Sequence, residues 1–134
     1  MSTSSQVNNI KLLRFASFSM VIAVVLGAMG AHWLKTVLSA ENLLSFNTGI
    51  RYHVFHSLGL FVVILLKSNG FQFSKWVSNL FIIGMILFSG SIYCLSTIPA
   101  HGFDFVRVLG PITPIGGLCL IAGWAVLGTT ISKK

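Results

Sequence analysis

Residues 76–98 read WVSNLFIIGMILFSGSIYCLSTI and contain no charged side chain. A helix that crosses the hydrocarbon core of a bilayer, about 30 Å thick, needs roughly 20 apolar residues. Residues 76–98 reach that length without any flanking residue. Because lipid offers the backbone no hydrogen-bond partners, an apolar run of this length predicts a transmembrane helix.

Three further apolar stretches accompany this one, at residues 15–31, 54–66 and 108–131. By the same length criterion the sequence predicts four spans, at about residues 12–31, 51–67, 76–98 and 110–131. The second is long enough only if Arg51 and Lys67 lie at the two interfaces and extend toward water.

The predicted fold is therefore an all-α integral membrane bundle of four transmembrane helices. We expect a single domain over residues 1–134, with residues 1–9 as a flexible tail. An alternative for the first stretch is a cleaved signal peptide, because Lys11 and Arg14 precede it and small residues end it. Its apolar run is longer than the usual core of about 7–15 residues in such peptides, so we favour a retained span.

Composition excludes a soluble domain and a nucleic-acid partner. Apolar residues make up 54% of the chain and charged residues 8%, against about 25% charged in an average soluble domain. The formal net charge is +7, but the basic residues occur singly or in pairs at the ends of the apolar stretches. That distribution is typical of interface anchors and not of a phosphate-binding patch. The predicted surroundings are the lipid bilayer.

The Lys and Arg residues also predict the orientation, since cytoplasmic loops carry an excess of them. With four spans, the two termini and the loop at residues 67–75 share one side. That side holds Lys11, Arg14, Lys67, Lys75, Lys133 and Lys134, and the other holds Lys35, Arg51 and Arg107. We therefore expect a multi-pass protein of the cell (inner or plasma) membrane with both termini in the cytoplasm.

The connector between the first two spans contains a helix signal of its own. Ser39 suits the N-cap position and Glu41 falls in the first turn, where the helix dipole favours an anion. We predict a short interfacial helix over residues 40–48, which can run into the second span across Gly49.

In this topology every acidic residue and every histidine lies on the outer side. His53 and His56 are three apart and share a helix face, and His32 ends the first span. The candidate ligand-binding residues of this outer layer are His32, His53, His56, Tyr93 and Thr113. Three imidazoles are candidate zinc or copper ligands. No carboxylate lies beside the pair at ligand spacing, so the favoured interpretation is hydrogen bonding between helices, with no metal and no cofactor.

Small residues predict where the helices approach each other closely. The candidate helix-packing residues are Ala23, Gly27, Ala31, Gly84, Ser91, Gly116 and Gly123. The fourth span opens with two prolines, Pro111 and Pro114. Because proline has no amide hydrogen, they should release the carbonyls of Arg107 and Gly110. The two prolines either simply begin the helix, or form a half-unwound start whose bare carbonyls, with Thr113, face a polar cavity. We favour the first interpretation, with regular hydrogen bonding from about Pro114 onward.

Four motifs in register resemble a known family. They are GAMGAH at residues 27–32, RYHVFHSL at 51–58, FSGSIY at 88–93 and LGPITPIGG at 109–117. They are similar to the small membrane proteins filed as domain of unknown function 423, a family that includes transmembrane protein 256, and the resemblance covers about residues 12–128. It implies a four-helix inner-membrane protein and brings no established activity, substrate or cofactor. The family's motif positions fall here on His32, Tyr52, His56, Ser89, Gly90, Tyr93, Thr113, Pro114, Gly116 and Gly117.

Three functions remain to be weighed. The favoured one is non-enzymatic, with the protein acting by helix association as a homo-oligomer or in a larger membrane complex. The alternative is a small transporter, channel or ligand- or metal-binding protein with its polar histidine site at the outer leaflet. Catalysis is disfavoured because the acids, Glu41 and Asp104, are both expected in water, which leaves acid–base chemistry to histidine alone.

Overall fold

The computed structural model describes residues 3–133, with side chains described for residues 6–133. Four helices in it are long and apolar enough to cross a membrane, which confirms the predicted all-α four-span fold. We name them span 1 (Gln6–Val37), span 2 (Ala40–Ser68), span 3 (Trp76–Ser96) and span 4 (Asp104–Thr130).

The spans are built from shorter regular segments. Their bounds are α1 (Thr3–Met29), a π-helical turn (Gly30–Leu34), α2 (Lys35–Val37), α3 (Ala40–Ser68), α4 (Trp76–Met85), a second π-helical turn (Ile86–Gly90), α5 (Ser91–Ser96), α6 (Ile98–His101), a 3₁₀ segment (Asp104–Leu109) and α7 (Ile112–Thr130). Two short strands, β1 (Phe71–Gln72) and β2 (Ser132–Lys133), pair antiparallel.

The predicted flexible tail is wrong from residue 3 onward, since α1 already begins at Thr3; residues 1 and 2 lie outside the described residues. The segment contains no proline or glycine. Once the span has nucleated a helix, each added residue gains a backbone hydrogen bond. The polar composition that suggested a tail therefore does not stop the helix.

The predicted helix over residues 40–48 is present as the first turns of the 29-residue α3. Ser39 caps it as expected, because the Asn42 amide donates to the Ser39 Oγ at 3.2 Å. The helix runs across Gly49, where a Cβ would lie 2.8 Å from a ring carbon of Tyr93. By helical rise, the 29 residues of α3 are about 43 Å long, so the helix is longer than the bilayer core of about 30 Å requires.

Spans 2 and 3 form the centre of the bundle, and spans 1 and 4 flank it. In the most apolar 18-residue window, 39% of the residues are buried in spans 2 and 3, against 17% in spans 1 and 4. Span 1 packs on span 2 and span 4 packs on span 3. The main core contains Leu60, Val63, Val77, Phe81 and Leu120.

Small residues lie where span 4 meets span 3. A Cβ added to Gly116 would lie 2.7 Å from the Leu87 carbonyl carbon. A Cβ on Gly123 would lie 2.6 Å from the Phe81 ring, and one on Gly84 would lie 2.7 Å from Leu120 Cγ. At Gly116 the added Cβ would overlap backbone atoms of span 3, whereas at Gly84 and Gly123 it would meet side chains that would have to move.

The small-residue stripe of span 1 ends earlier than its spacing suggests. Ala23 is buried, and Gly27 is half-buried near Ile50. Ala31 is exposed, and the small residue buried within the chain at this point is Gly30; a packing role of Ala31 against another chain stays a prediction. Gly30 lies against span 2, where an added Cβ would be 3.3 Å from the Phe46 ring.

Span 4 starts with its 3₁₀ segment, Asp104–Leu109. The Gly110 amide donates to the Arg107 carbonyl at 3.0 Å, so the predicted release of that carbonyl is wrong. The α-helix begins at Ile112, two residues before Pro114. The prolines therefore begin the helix, as the favoured interpretation expected, because the first helical turn needs no amide donors.

The loop between spans 2 and 3 is attached to the end of span 4. In the β1–β2 pair Phe71 lies opposite Lys133, and the Ser74 amide donates to the Thr130 Oγ1 at 3.1 Å. The carboxy-terminal segment and this loop therefore lie at the same end of the bundle, as an even number of crossings requires.

Candidate functional site

Four side chains from three spans form one hydrogen-bonded cluster, which we call the His53 cluster: Ser19, His53, Ser57 and Tyr93. The Nδ1 of His53 lies 3.0 Å from the Tyr93 hydroxyl, and its Nε2 lies 2.8 Å from the Ser19 Oγ. The Ser19 Oγ is also 2.8 Å from the Ser57 Oγ. The cluster joins span 1, span 2 and span 3, and both serines are buried.

One assignment of hydrogens satisfies every member of the cluster. The Ser57 hydroxyl donates to the Met85 thioether at 3.7 Å, and a thioether only accepts. Ser19 then donates to Ser57, and His53 donates from Nε2 to Ser19. The Tyr93 hydroxyl donates to the remaining nitrogen, Nδ1. In this arrangement His53 is neutral and both of its ring nitrogens are bonded within the chain.

His56 makes a second, separate connection, from span 2 to span 4. The indole nitrogen of Trp124 is a donor only, and it lies 3.1 Å from the His56 Nε2. Nε2 must therefore accept, so the hydrogen of the neutral ring is on Nδ1, which donates to the Tyr52 carbonyl at 2.7 Å. The ring also packs edge-on against Phe81, with 5.4 Å between centroids. Both nitrogens of His56 are thus engaged as well.

The structure does not bring the predicted outer-layer residues into one site. His53 bonds to spans 1 and 3 and His56 to span 4, because residues three apart on a helix diverge by about 60°. His32 is exposed. Among residues 6–133, no three His, Cys, Asp or Glu side chains lie close enough to hold a metal ion. The site proposed for three imidazoles is therefore not formed.

Thr113 belongs to a third connection. Its Oγ1 lies 2.7 Å from the Ser91 Oγ, and Ser91 also donates to the Phe88 carbonyl at 3.0 Å. Because Ser91 has a single hydroxyl hydrogen, Thr113 is the donor between the two. This bond fixes the start of span 4 against span 3.

Two grooves open on the surface of the bundle near these side chains. One lies between spans 1 and 3, holds about 360 Å³ and reaches Ser19, His53 and Tyr93. The other lies between spans 2 and 4, holds about 790 Å³ and has His56 and Trp124 among its lining residues.

Comparison with known proteins places the chain in a family. The family model described as "Protein of unknown function (DUF423)" matches residues 26–117. The UPF0382 membrane protein of Schizosaccharomyces pombe is 42% identical over 113 residues, 84% of this chain and 93% of the relative. The chain belongs to the DUF423 family. Other DUF423 relatives are YwdK of Bacillus subtilis, 39% identical over 80% of this chain and 84% of its own length, and the inner membrane protein YgdD of Escherichia coli K12, 34% identical over 87% and 85%. No solved structure matches.

The DUF423 match confirms the resemblance seen in the motifs, and with the four spans it identifies a multi-pass membrane protein. The matched residues include His53, His56 and Tyr93, but they exclude Ser19 and Trp124, which provide the partners on the flanking spans.

Sequence reasoning missed Ser19, Ser57, Met85 and Trp124. Two signals pointed to the two serines and to Trp124. Ser19 and Ser57 are polar residues inside apolar stretches, where an unpaired hydroxyl is unfavourable. Trp124 lies seven residues before the end of its apolar stretch rather than at a membrane interface, where tryptophan is enriched.

Proposed function

We propose that this DUF423 protein is non-enzymatic and acts by helix association, in a homo-oligomer or in a complex with another membrane protein. The observation that supports it best is that His53 and His56 each have both ring nitrogens bonded inside the chain. The groups best suited to acid–base or ligand chemistry are therefore used to hold the four spans together.

The flanking spans support association in the membrane plane. Spans 1 and 4 bury about half the share of residues that spans 2 and 3 bury. Val24 on span 1 is 64% exposed and Leu118 on span 4 is 65% exposed. Little of the chain lies outside the spans, so its largest surfaces for a partner are these apolar helix faces.

We place the protein in the inner or plasma membrane with both termini in the cytoplasm. The excess of Lys and Arg on the terminal side supports this orientation. A test uses a variant without native cysteines that carries either Ser132→Cys or Phe105→Cys. In intact cells, a membrane-impermeant thiol reagent should label only Phe105→Cys, and permeabilised cells should label both. Labelling of Ser132→Cys in intact cells would reverse the orientation.

Association is tested by disulfide crosslinking in membranes, again in a background without Cys94 and Cys119. Val24→Cys is paired with Ala23→Cys as control, because Ala23 is next in sequence and 1% exposed. The exposed positions should give oxidant-dependent dimers or a crosslink to another protein, and the buried control should not.

Leu118→Cys and Leu120→Cys form the equivalent pair on span 4, since Leu120 is 3% exposed. A crosslink between identical chains indicates a homo-oligomer. If both exposed positions stay uncrosslinked, and the solubilised protein has the mass of one chain with no co-purifying partner, helix association is refuted.

A second candidate is a small transporter or ligand-binding protein. The groove between spans 1 and 3 favours it, because that groove leads from the lipid-facing surface to His53 and Ser19. Proton flux into liposomes containing the protein should then fall in His53→Gln. Equal flux for the parent and the variant would remove this candidate.

A further inference from the structure

The groove between spans 2 and 4 has a distinct shape. On the span 2 side its lining residues run from Arg51 to Val62, a distance of about 16 Å by helical rise. Its apolar walls are formed by Phe55, Leu58, Val62, Leu120, Ile121 and Trp124. The volume of about 790 Å³ lies within the range of ligand sites, about 300–1,000 Å³. The groove is therefore long, apolar and open to the side.

One end of the groove carries two polar groups without partners. The Arg51 guanidinium makes no ion pair or hydrogen bond with any residue from 6 to 133, and the Tyr52 hydroxyl makes no hydrogen bond within the same range. Both residues line the groove. The unpaired Arg51 cation and the unpaired Tyr52 hydroxyl therefore lie at one end of the apolar groove.

We propose that this groove binds an anionic phospholipid, with the phosphate at Arg51 and Tyr52 and an acyl chain along the walls toward Val62. Arginine offers several donors in a planar arrangement that matches phosphate oxygens. Basic pockets between transmembrane helices are suited to anionic headgroups. This site lies apart from the His53 cluster and does not depend on helix association.

The position of Arg51 along span 2 fits a headgroup contact. Arg51 and Lys67 are about 24 Å apart along the helix, less than the hydrocarbon thickness of about 30 Å. Each side chain must extend toward a headgroup layer, so the Arg51 end of the groove meets lipid phosphates while the rest faces acyl chains.

Charge favours a lipid over a second copy of the chain. The sequence has two acidic residues, Glu41 and Asp104. Asp104 already pairs with Arg107 at 3.1 Å, and Glu41 is in the first turn of span 2, before the turns that line the groove. The groove-lining surface of a second copy would bring no carboxylate to Arg51, whereas an anionic lipid supplies the missing charge.

The experiment uses Trp124 as a probe, because it forms part of the groove wall. Trp33 and Trp76 are replaced by phenylalanine, and the protein is reconstituted in phosphatidylcholine vesicles. A minor fraction of the lipid carries bromine on its acyl chains, as either phosphatidylglycerol or phosphatidylcholine. Brominated phosphatidylglycerol should quench Trp124 as though it were about fivefold enriched at the groove, the preference expected from one nearby arginine.

Arg51→Gln should remove this preference, and Lys35→Gln, which changes another cation at the same end of the bundle, should preserve it. Gly117→Leu tests the apolar part, because a Cβ on Gly117 meets the Phe88 ring at an ordinary 3.5 Å while a longer side chain fills the groove. It should weaken quenching by both lipids.

Equal quenching by the two brominated lipids, or a preference that survives Arg51→Gln, would overturn the proposal. So would weak quenching by both lipids that strengthens as the protein is diluted in the membrane, since that result identifies a second copy over the groove.

Discussion

Gly116→Ala tests the close contact between spans 3 and 4. The added Cβ would overlap the Phe88 amide nitrogen and lie 2.7 Å from the Leu87 carbonyl carbon. These are backbone atoms within a span, so relief requires the two helices to separate. Overpacking typically costs about 1–3 kcal/mol, and alanine regains about 1 kcal/mol of helix propensity over glycine. Because no flexible side chain can absorb the overlap, we take the upper cost of about 3 kcal/mol and expect a net loss of about 2 kcal/mol in the free energy of unfolding.

The assay is reversible unfolding in mixed micelles with increasing dodecyl sulfate, followed by circular dichroism. The adjacent Gly117→Ala is the control, because its nearest contact is the Phe88 ring at 3.5 Å; it should be as stable as the parent or slightly more so. Gly84→Ala should fall between the two, since the Leu120 side chain that it meets can move. If Gly116→Ala and Gly117→Ala unfold at the same dodecyl sulfate concentration, the inferred backbone contact is refuted.

Three further predictions concern hydrogen bonds. Nitrogen chemical shifts of His56 should show a neutral ring with its hydrogen on Nδ1. Trp124→Phe should change those shifts and lower the free energy of unfolding by about 0.6 kcal/mol, the average for such bonds in membranes. Unchanged shifts would contradict the indole donor. Tyr93→Phe should cost about the same and alter the shifts of His53 but not of His56, and a change in both would show that the two connections are coupled. Ser39→Ala should cost about 1 kcal/mol as a lost N-cap, and full retention of stability would show that the first turns of span 2 do not depend on the cap.

The four spans could be predicted from the sequence because their signal is local. An apolar run such as residues 76–98 needs only its own length to be identified. The N-cap at Ser39 could be predicted for the same reason, since Ser39 and the Asn42 amide that donates to its Oγ are only three residues apart. The helix over residues 3–9 was missed because polar side chains indicate contact with water and not the backbone conformation. An existing helix can extend through such residues, since each one adds a backbone hydrogen bond.

The side-chain partners could not be predicted because they depend on how each helix is rotated about its axis. His53 and His56 share one face by spacing, yet a divergence of about 60° sends them to different neighbours. The π-helical turn at Gly30–Leu34 changes the rotation of the residues that follow it, and no residue pattern in span 1 predicts such a turn.

Glycine contacts and side-chain hydrogen bonds stabilise this bundle in different ways. In lipid, apolar faces do not drive helices together as they do in water, so close packing and hydrogen bonds must select the arrangement. The glycines of spans 3 and 4 set how near the backbones lie, but Gly84 and Gly123 alone would tolerate small rotations past a flexible side chain or ring. The bond from His53 to Ser19 does not tolerate a rotation of span 1, because that rotation would leave a buried hydroxyl without a partner. Replacing a glycine such as Gly116 should therefore lower the free energy of unfolding, whereas replacing Ser19 should allow span 1 to rotate about its own axis.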